Sequence, residues 1–192
     1  MNQSFRAMLA RDNFVVVDTE TTGLERPAEI VQIAVIGKHG DILLDTLIKP
    51  KMKIPLAATQ VHGLTDEICQ DAPIWPFIRP EFLNLIAGKD VIVYNATYDR
   101  KLMHWSDEMW EDVHIDYKQS ASWHCAMEAY AEYHGERHPF YGSYTWQRLA
   151  VACQQMGVET ADKLHSALAD ALATLMLCEA CTKDLPIWRS GL

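Results

Sequence analysis

The chain has 192 residues, 49% of them hydrophobic and 22% charged, which predicts one globular domain over 1–192 with a core at about 14–182. Its net charge of −9 excludes broad neutralisation of a long duplex, although an enzyme that grips only a few terminal nucleotides tolerates such a charge if bound cations supply the positive field. With no secretion signal and no apolar run of membrane-spanning length, we expect a cytoplasmic protein that binds no membrane.

The order of predicted elements is that of an α/β protein. A β-branched run at 14–18, a second apolar run at 29–37 and a third at 41–50 predict three strands, and the short junction at 39–41 suits a hairpin, so the sheet should start antiparallel. The remaining patterns follow in chain order: helices at 65–71 and 76–87, a strand at 90–95, a helix from Tyr98, a short strand and a helix between Ser122 and Tyr133, an irregular stretch at 134–145, and helices at 146–156 and 166–182. This order predicts helices packed on a mixed sheet.

Two acidic residues, Asp18 and Glu20, end the first predicted strand in the sequence VVVDTETTGL. Because a strand has a period of two, both side chains project from one face. Paired carboxylates suit Mg²⁺ or Mn²⁺, which prefer hard oxygen ligands, although acids after a strand are also common in solvated turns. A third acid, Asp99, follows the fourth strand at the start of a helix, where the helix dipole favours a carboxylate.

Near the C-terminus, His165 and Asp170 lie five residues apart in the sequence LHSALADALATLML. Five helical steps of about 100° would point the two side chains some 140° apart, so one regular helix cannot direct both to one site. The conflict disappears if Ser166 is the N-cap and His165 lies on the preceding loop. A histidine there is exposed enough to act as a general base.

The segments DTETTGL, HGLTDE, NATYD and H-x-x-x-x-D, in this order, resemble the signature of the DEDDh 3′-5′ exonucleases, the DnaQ-like branch of the ribonuclease H-like superfamily. The resemblance runs from about Phe14 to about Cys178. The family often has H-N-x-x-F-D before its third acid, where this chain has Tyr94 and Tyr98 in place of the histidine and the phenylalanine.

The resemblance implies a ribonuclease H-like fold with a mixed five-stranded sheet, antiparallel in its first three strands, flanked by helices. It also implies two Mg²⁺ or Mn²⁺ ions roughly 4 Å apart, bridged by Asp18. Metal ligation and catalysis would fall to Asp18, Glu20, Asp99 and Asp170, with His165 as the general base that deprotonates the attacking water. The product would be a nucleoside 5′-monophosphate.

Six residues near these acids are candidates for substrate binding. By resemblance, Thr21, Thr22 and Leu24 would touch the terminal nucleotide through backbone amides and an apolar wedge, unless this turn only satisfies its own backbone. His62 would lie against the terminal sugar and phosphate, or else make a structural hydrogen bond. Asn95 and Tyr98 would flank the site, although Tyr98 could equally be packed in the core.

The stretch 130–146 combines six aromatic residues with Arg137, and Arg148 follows it. Such a mixture is typical of a platform for single strands, although part of the stretch has the spacing of core-facing helix residues.

The expected partner is the 3′ end of a single strand or a frayed end, with DNA favoured over RNA. The alternatives are an exoribonuclease, a proofreading subunit and an inactive nucleic-acid-binding module. Because the chain ends eight residues after Asp184, we expect no tail for an obligate polymerase partner; a homodimer stays open.

Overall fold

The computed structural model describes residues 3–11, 13–111, 115–160 and 165–182, and within them it contains one five-stranded sheet. The strands are β1 (Phe14–Thr21), β2 (Ile30–Gly37), β3 (Ile42–Leu47), β4 (Asp90–Val93) and β5 (Ser122–Cys125), in the spatial order β3-β2-β1-β4-β5. β1 pairs antiparallel with β2, and β2 with β3, whereas β4 runs parallel to both β1 and β5. The predicted mixed sheet with an antiparallel start is confirmed.

The described helices are α1 (Gln3–Ala10), α2 (Leu56–His62), α3 (Asp66–Cys69), α4 (Trp75–Ile86), α5 (Ala96–Met109), α6 (Tyr117–Ser120), α7 (Ala126–His134), α8 (Leu149–Gln155) and α9 (Ala167–Ala180). Neither α1 nor α2 was expected from the sequence. β1 continues to Thr21, three residues past the predicted end, because Glu20 and Thr21 still pair with β2. None of the described helices has the length and apolar character needed to cross a membrane.

The two faces of the sheet pack against different helices, and β1 divides its side chains between them. Val15 and Val17 join the cluster that contains Phe82 of α4 and Leu102 of α5. Phe14 and Val16 join the cluster that contains residues of α7 and α9. By this alternation Asp18 and Glu20 belong to the α9 face, and Thr19 belongs to the α5 face.

A buried hydrogen-bond network anchors α5. Asp107, 2% exposed, accepts hydrogen bonds from Trp75 Nε1 at 2.8 Å, Arg79 Nη1 at 2.9 Å and Tyr117 Oη at 2.9 Å. Ser106 Oγ also accepts a hydrogen bond from the backbone N–H of Ile30, at 3.1 Å, which ties α5 to β2. Because buried polar groups that are fully paired specify a single arrangement, this network holds the helix that carries Asp99 in register with the sheet.

Candidate active site

Three carboxylates converge on the α9 side of the sheet. Asp18 and Glu20 project from the end of β1, and Asp170 lies in the first turn of α9, which packs across β1 and β2. One carboxylate oxygen from each of the three lies within 4.8 Å of the other two. Because divalent cations prefer oxygen ligands, three carboxylates at this spacing could hold one.

The fourth acid, Asp99, approaches from the other face of the sheet. It lies in the first turn of α5 and is 4% exposed. Its Oδ1 accepts a hydrogen bond of 2.8 Å from the hydroxyl of Thr19. The charge of Asp99 raises the pKa of Asp18, so the two carboxyl groups are neighbours, although Asp99 is not within the close group of three.

Burial and mutual repulsion make these acids difficult to ionise. Burial, followed by the charges of Asp170 and Asp99, raises the pKa of Glu20 to about 8. Burial raises the pKa of Asp99 to about 7 in spite of the hydrogen bond from Thr19, and the pKa values of Asp18 and Asp170 are raised as well. A bound divalent cation would remove this penalty, so the donor set fits the metal that the sequence predicts.

His165 lies immediately before α9, as the sequence predicts. Ser166 is the N-cap, and its side chain accepts a hydrogen bond from the backbone N–H of Ala169 at 3.3 Å. His165 is exposed, has a positive φ of 88° and donates its backbone N–H to Asp170 Oδ1 at 3.1 Å. The histidine and Asp170 therefore border the same groove, although they are five residues apart.

The turn after β1 is held by its own hydroxyl groups. Tyr98 Oη donates to the carbonyl oxygen of Gly23 at 2.7 Å, and Thr21 Oγ1 donates to the same oxygen at 3.0 Å. The backbone N–H of Thr22 donates to the carbonyl oxygen of Glu29 at 2.9 Å, and the hydroxyl of Thr22 accepts a hydrogen bond from the backbone N–H of Glu29 at 2.9 Å. Leu24 is 78% exposed beyond this braced turn, which is the position that an apolar wedge requires.

His62 has backbone partners on both ring nitrogens. Its Nδ1 accepts from the N–H of Leu64 at 3.0 Å, so Nε2 carries the proton and donates to the carbonyl oxygen of Thr21 at 3.2 Å. Burial lowers the pKa of His62, and the nearby His165 lowers it further. Asn95, the N-cap of α5, borders the groove that contains His165 and Asp170. The six candidate substrate residues lie at the end of β1 and in the turn after it, at the start of α5 and at the end of α2, while their contacts with substrate stay predictions.

Sequence reasoning missed two residues that brace this site. Thr19 alternates with Asp18 and Glu20 along β1, and this parity is a signal that it would reach toward α5 and Asp99. Glu29 accepts hydrogen bonds from the backbone N–H groups of Lys51 at 3.1 Å and Met52 at 2.8 Å. Its role depends on a contact across more than 20 residues that no local pattern indicates.

A ribonuclease H-like sheet with three acids grouped at the end of its first strand, a fourth acid near them and a histidine at the same groove has the arrangement expected of a metal-dependent nuclease. The RNase T exonuclease family matches residues 15–178. The uncharacterized exonuclease CP81 of Escherichia phage 186 is 40% identical over 174 residues, which are 90% of this chain and 89% of that protein. The chain therefore belongs to the RNase T exonuclease family, in its DnaQ-like DEDDh group.

More distant relatives agree with the fold. The DNA polymerase III subunit epsilon of Rickettsia prowazekii is 32% identical over 96 residues, 47% of this chain and 42% of that protein. The nuclease domain of 3′hExo, a DEDDh family member bound to rAMP, superposes with a TM-score of 0.72 at 12% identity, covering 90% of this chain and 92% of that one. Exonuclease X in complex with 5′ overhanging duplex DNA has a TM-score of 0.63 at 21% identity, covering 89% and 92%.

Proposed function

We propose that this exonuclease removes nucleotides from the 3′ end of single strands or frayed ends and releases nucleoside 5′-monophosphates, with DNA favoured over RNA. The observation that carries the proposal is the convergence of Asp18, Glu20 and Asp170 within 4.8 Å, with Asp99 beside them. The net charge of −9 supports short contact with a strand end over a broad grip on duplex.

The four acids are the proposed ligands of two divalent cations, Mg²⁺ or Mn²⁺. When bound, such ions would activate the attacking water and stabilise the leaving 3′ oxygen. The fold positions the four acids before any ion binds. Strand β1 holds Asp18 and Glu20, the hydrogen bond from Thr19 holds Asp99, and the first turn of α9 holds Asp170. The charges of the other three acids all raise the pKa of Asp18, so it lies close to each of them.

His165 is the proposed general base. Its side chain is exposed at the groove, and its backbone N–H holds Asp170, so the base and a metal ligand are positioned together. As the water oxygen bonds to phosphorus and the bond from phosphorus to the 3′ oxygen breaks, the imidazole takes the proton of the water.

The terminal nucleotide is proposed to lie against the turn after β1. Leu24 would insert beside the last base, while Thr21, Thr22 and Tyr98 hold the turn that carries it. His62, with both ring nitrogens bonded to backbone, would keep the carbonyl of Thr21 in place while its ring edge meets the terminal sugar. Asn95 would contact the substrate from the groove on the other side of Asp170.

The solved structures that resemble this chain include one in complex with DNA and one bound to rAMP, so the proposed preference for DNA over RNA is tested directly. The CP81 relative matches this chain over nearly its whole length, which supports an enzyme that acts without a polymerase partner. Whether it acts as a monomer or as a homodimer would be read from size-exclusion chromatography with light scattering.

The test is degradation of matched 5′-labelled single-stranded DNA and RNA with Mg²⁺, Mn²⁺ or EDTA. We expect a metal-dependent ladder that shortens from the 3′ end and is absent in Asp18→Ala. Asp71→Ala, which removes an exposed acid outside the cluster, is the matched control and should give the ladder of the wild type. Full activity of Asp18→Ala would refute the proposed site, and faster loss of RNA than DNA would refute the sugar preference.

A further inference from the structure

An irregular hairpin lies between α7 and α8, and we name residues 136–146 the aromatic hairpin. Arg137 and Tyr144 form an antiparallel bridge, and the N–H of Thr145 donates to the carbonyl oxygen of Glu136 at 2.8 Å. Gln147 Nε2 also donates to Glu136 Oε2, at 3.1 Å. The base of the hairpin is therefore closed by hydrogen bonds that do not depend on a hydrophobic core.

The aromatic hairpin carries most of the exposed aromatic surface of the described chain. Phe140 is 86% exposed, Tyr141 79% and Trp146 62%. Across the described ranges only one further Phe, Tyr or Trp is strongly exposed, Phe77 on α4, at 75%. Scattered exposed apolar side chains need no explanation, but three large aromatic rings within seven residues are typical of a binding surface.

The hairpin is continuous with the carboxylate site. One groove of about 560 Å³ has His165, Asp170 and Asn95 in its wall, together with Trp146 and Arg148. A second groove of about 520 Å³ is lined by Trp146, Tyr141 and Tyr144 among others, so the two grooves share Trp146. The two grooves therefore place Trp146, Tyr144 and Tyr141 along a path that starts beside Asp170.

One hydrogen bond connects the residue that follows the aromatic hairpin with the end of β4. Tyr94, which follows β4 directly, donates its hydroxyl to the carbonyl oxygen of Gln147 at 2.7 Å. Tyr94 stands where the family often has a histidine, and its longer phenol reaches the segment that follows Trp146. The end of the hairpin next to Trp146 is therefore tied to a side chain at the edge of the site.

We propose that the aromatic hairpin binds the unpaired bases of the same strand whose end lies at the carboxylates, an inference that rests on the proposed function. Bases of any sequence stack on exposed rings, which suits an enzyme that degrades a strand step by step. The guanidinium of Arg137 lies 4.6 Å from the ring centroid of Tyr144, and Arg148 borders the groove that contains Asp170. Positive charges therefore flank the rings, where the phosphates of a bound strand would pass. A duplex would hide the faces of its bases, so the occupant is single-stranded.

Binding is measured without cleavage. The Asp18→Ala protein in EDTA is titrated with fluorescein-labelled oligothymidylates and oligouridylates of 2 to 12 nucleotides, and anisotropy gives the Kd. We expect the Kd to fall with length until the hairpin is covered, and Trp146→Ala or Tyr141→Ala to raise the Kd of the long strands roughly tenfold, since a stacked base contributes about that much. Trp146→Phe should recover most of the affinity.

Phe77→Ala is the matched control, because it also removes a large exposed ring but lies on α4. It should leave the Kd of every strand unchanged, and thermal melting would verify that all variants fold. Equal Kd values for Trp146→Ala and Phe77→Ala, or no dependence of affinity on length, would overturn the proposal. A blunt duplex that binds as tightly as a single strand would overturn it too.

Cleavage assays separate this proposal from the proposed function. In an otherwise wild-type protein, Trp146→Ala should raise KM for long strands more than it lowers kcat. If the wild type cleaves 3′ ends but Trp146→Ala has an unchanged KM, the hairpin proposal fails alone. If the wild type cleaves nothing but still binds single strands through Trp146, the exonuclease assignment fails and the binding surface remains.

Discussion

The acids and the histidine of the site come from two regions that are built differently. The first, which we call the sheet half, holds Asp18 and Glu20 by strand pairing and Asp99 by a buried hydrogen bond from Thr19. The second, the helix half, holds His165 and Asp170 at the exposed start of α9. The acids of the sheet half are therefore placed by the core of the fold, whereas the proposed base depends on a few local hydrogen bonds.

Electrostatics separates the halves as well. In the sheet half, burial raises the pKa values of all three acids, to about 7 for Asp99 and about 8 for Glu20, and like charges add to the rise for Asp18 and Glu20. In the helix half, His165 has a positive φ, which is uncommon for a residue with a side chain and costs of order 1 kcal/mol or more. Like charges strain the sheet half, whereas in the helix half burial raises the pKa of Asp170 and the backbone of His165 is strained, so different substitutions should relieve the two halves.

The largest expected effect is that of Asp99→Asn in the sheet half. The amide oxygen can still accept the hydrogen bond of Thr19, but the charge is lost, so turnover should be abolished while the metal-free protein gains stability. Steady-state cleavage and thermal unfolding in EDTA would check both.

The matched control for this charge removal is Asp107→Asn, also buried on α5. Its carboxylate is paired with Arg79 at 2.9 Å, so its loss should destabilise the protein. A lower unfolding temperature for Asp99→Asn would contradict the view that like-charge repulsion strains the sheet half.

The next effect belongs to the helix half. His165→Ala should lower kcat about 10²- to 10⁴-fold, the usual contribution of a general base, because the proton acceptor is lost. Binding of Mn²⁺, measured by calorimetry, should be unchanged, since the backbone N–H of residue 165 still holds Asp170. Loss of Mn²⁺ binding in His165→Ala would instead make the histidine part of the metal site.

A further effect concerns stability in the sheet half. The folded protein holds Glu20 with a pKa of about 8 against an ordinary value of 4.5, so between these pH values it binds more protons than the unfolded chain. Stability of the metal-free protein should therefore fall as pH rises from 5 to 8. Melting curves in EDTA would measure this, and Mn²⁺ should restore stability most at the high end. If Glu20→Gln keeps the full pH dependence, Glu20 is not its source.

The sequence predicted the placement of the acids and the histidine better than the surroundings of the site. Strand parity places Asp18 and Glu20 on one face, and helical geometry alone requires His165 to lie outside α9, with Ser166 as its cap; the structure confirms both placements. These are local consequences of backbone geometry. The family resemblance supplied the assembly of these residues at one site.

Other features could not be read from local patterns. α1 packs only a few apolar residues, so its pattern is too short to distinguish from a loop. The contact of Glu29 with the 51–52 backbone and that of Tyr94 with Gln147 join segments that are far apart in the chain. Such contacts follow from tertiary packing, and for the same reason the exposure of the aromatic hairpin could not be separated from core packing by spacing alone.

The smallest expected effects come from the two tyrosines at positions where the family often has other aromatic residues. Tyr98→Phe removes the hydrogen bond to Gly23 in the sheet half, and Tyr94→Phe removes that to Gln147 near the helix half. Each loss should cost about 1 kcal/mol and leave kcat nearly unchanged. Hydrogen exchange read by mass spectrometry should then rise around 21–25 in Tyr98→Phe and around 145–149 in Tyr94→Phe. Because the two hydroxyl groups brace separate segments, neither variant should alter exchange in the other's segment. A rise at both segments in either single variant would mean that the two halves are one cooperative unit, and the contrast drawn between them would fail.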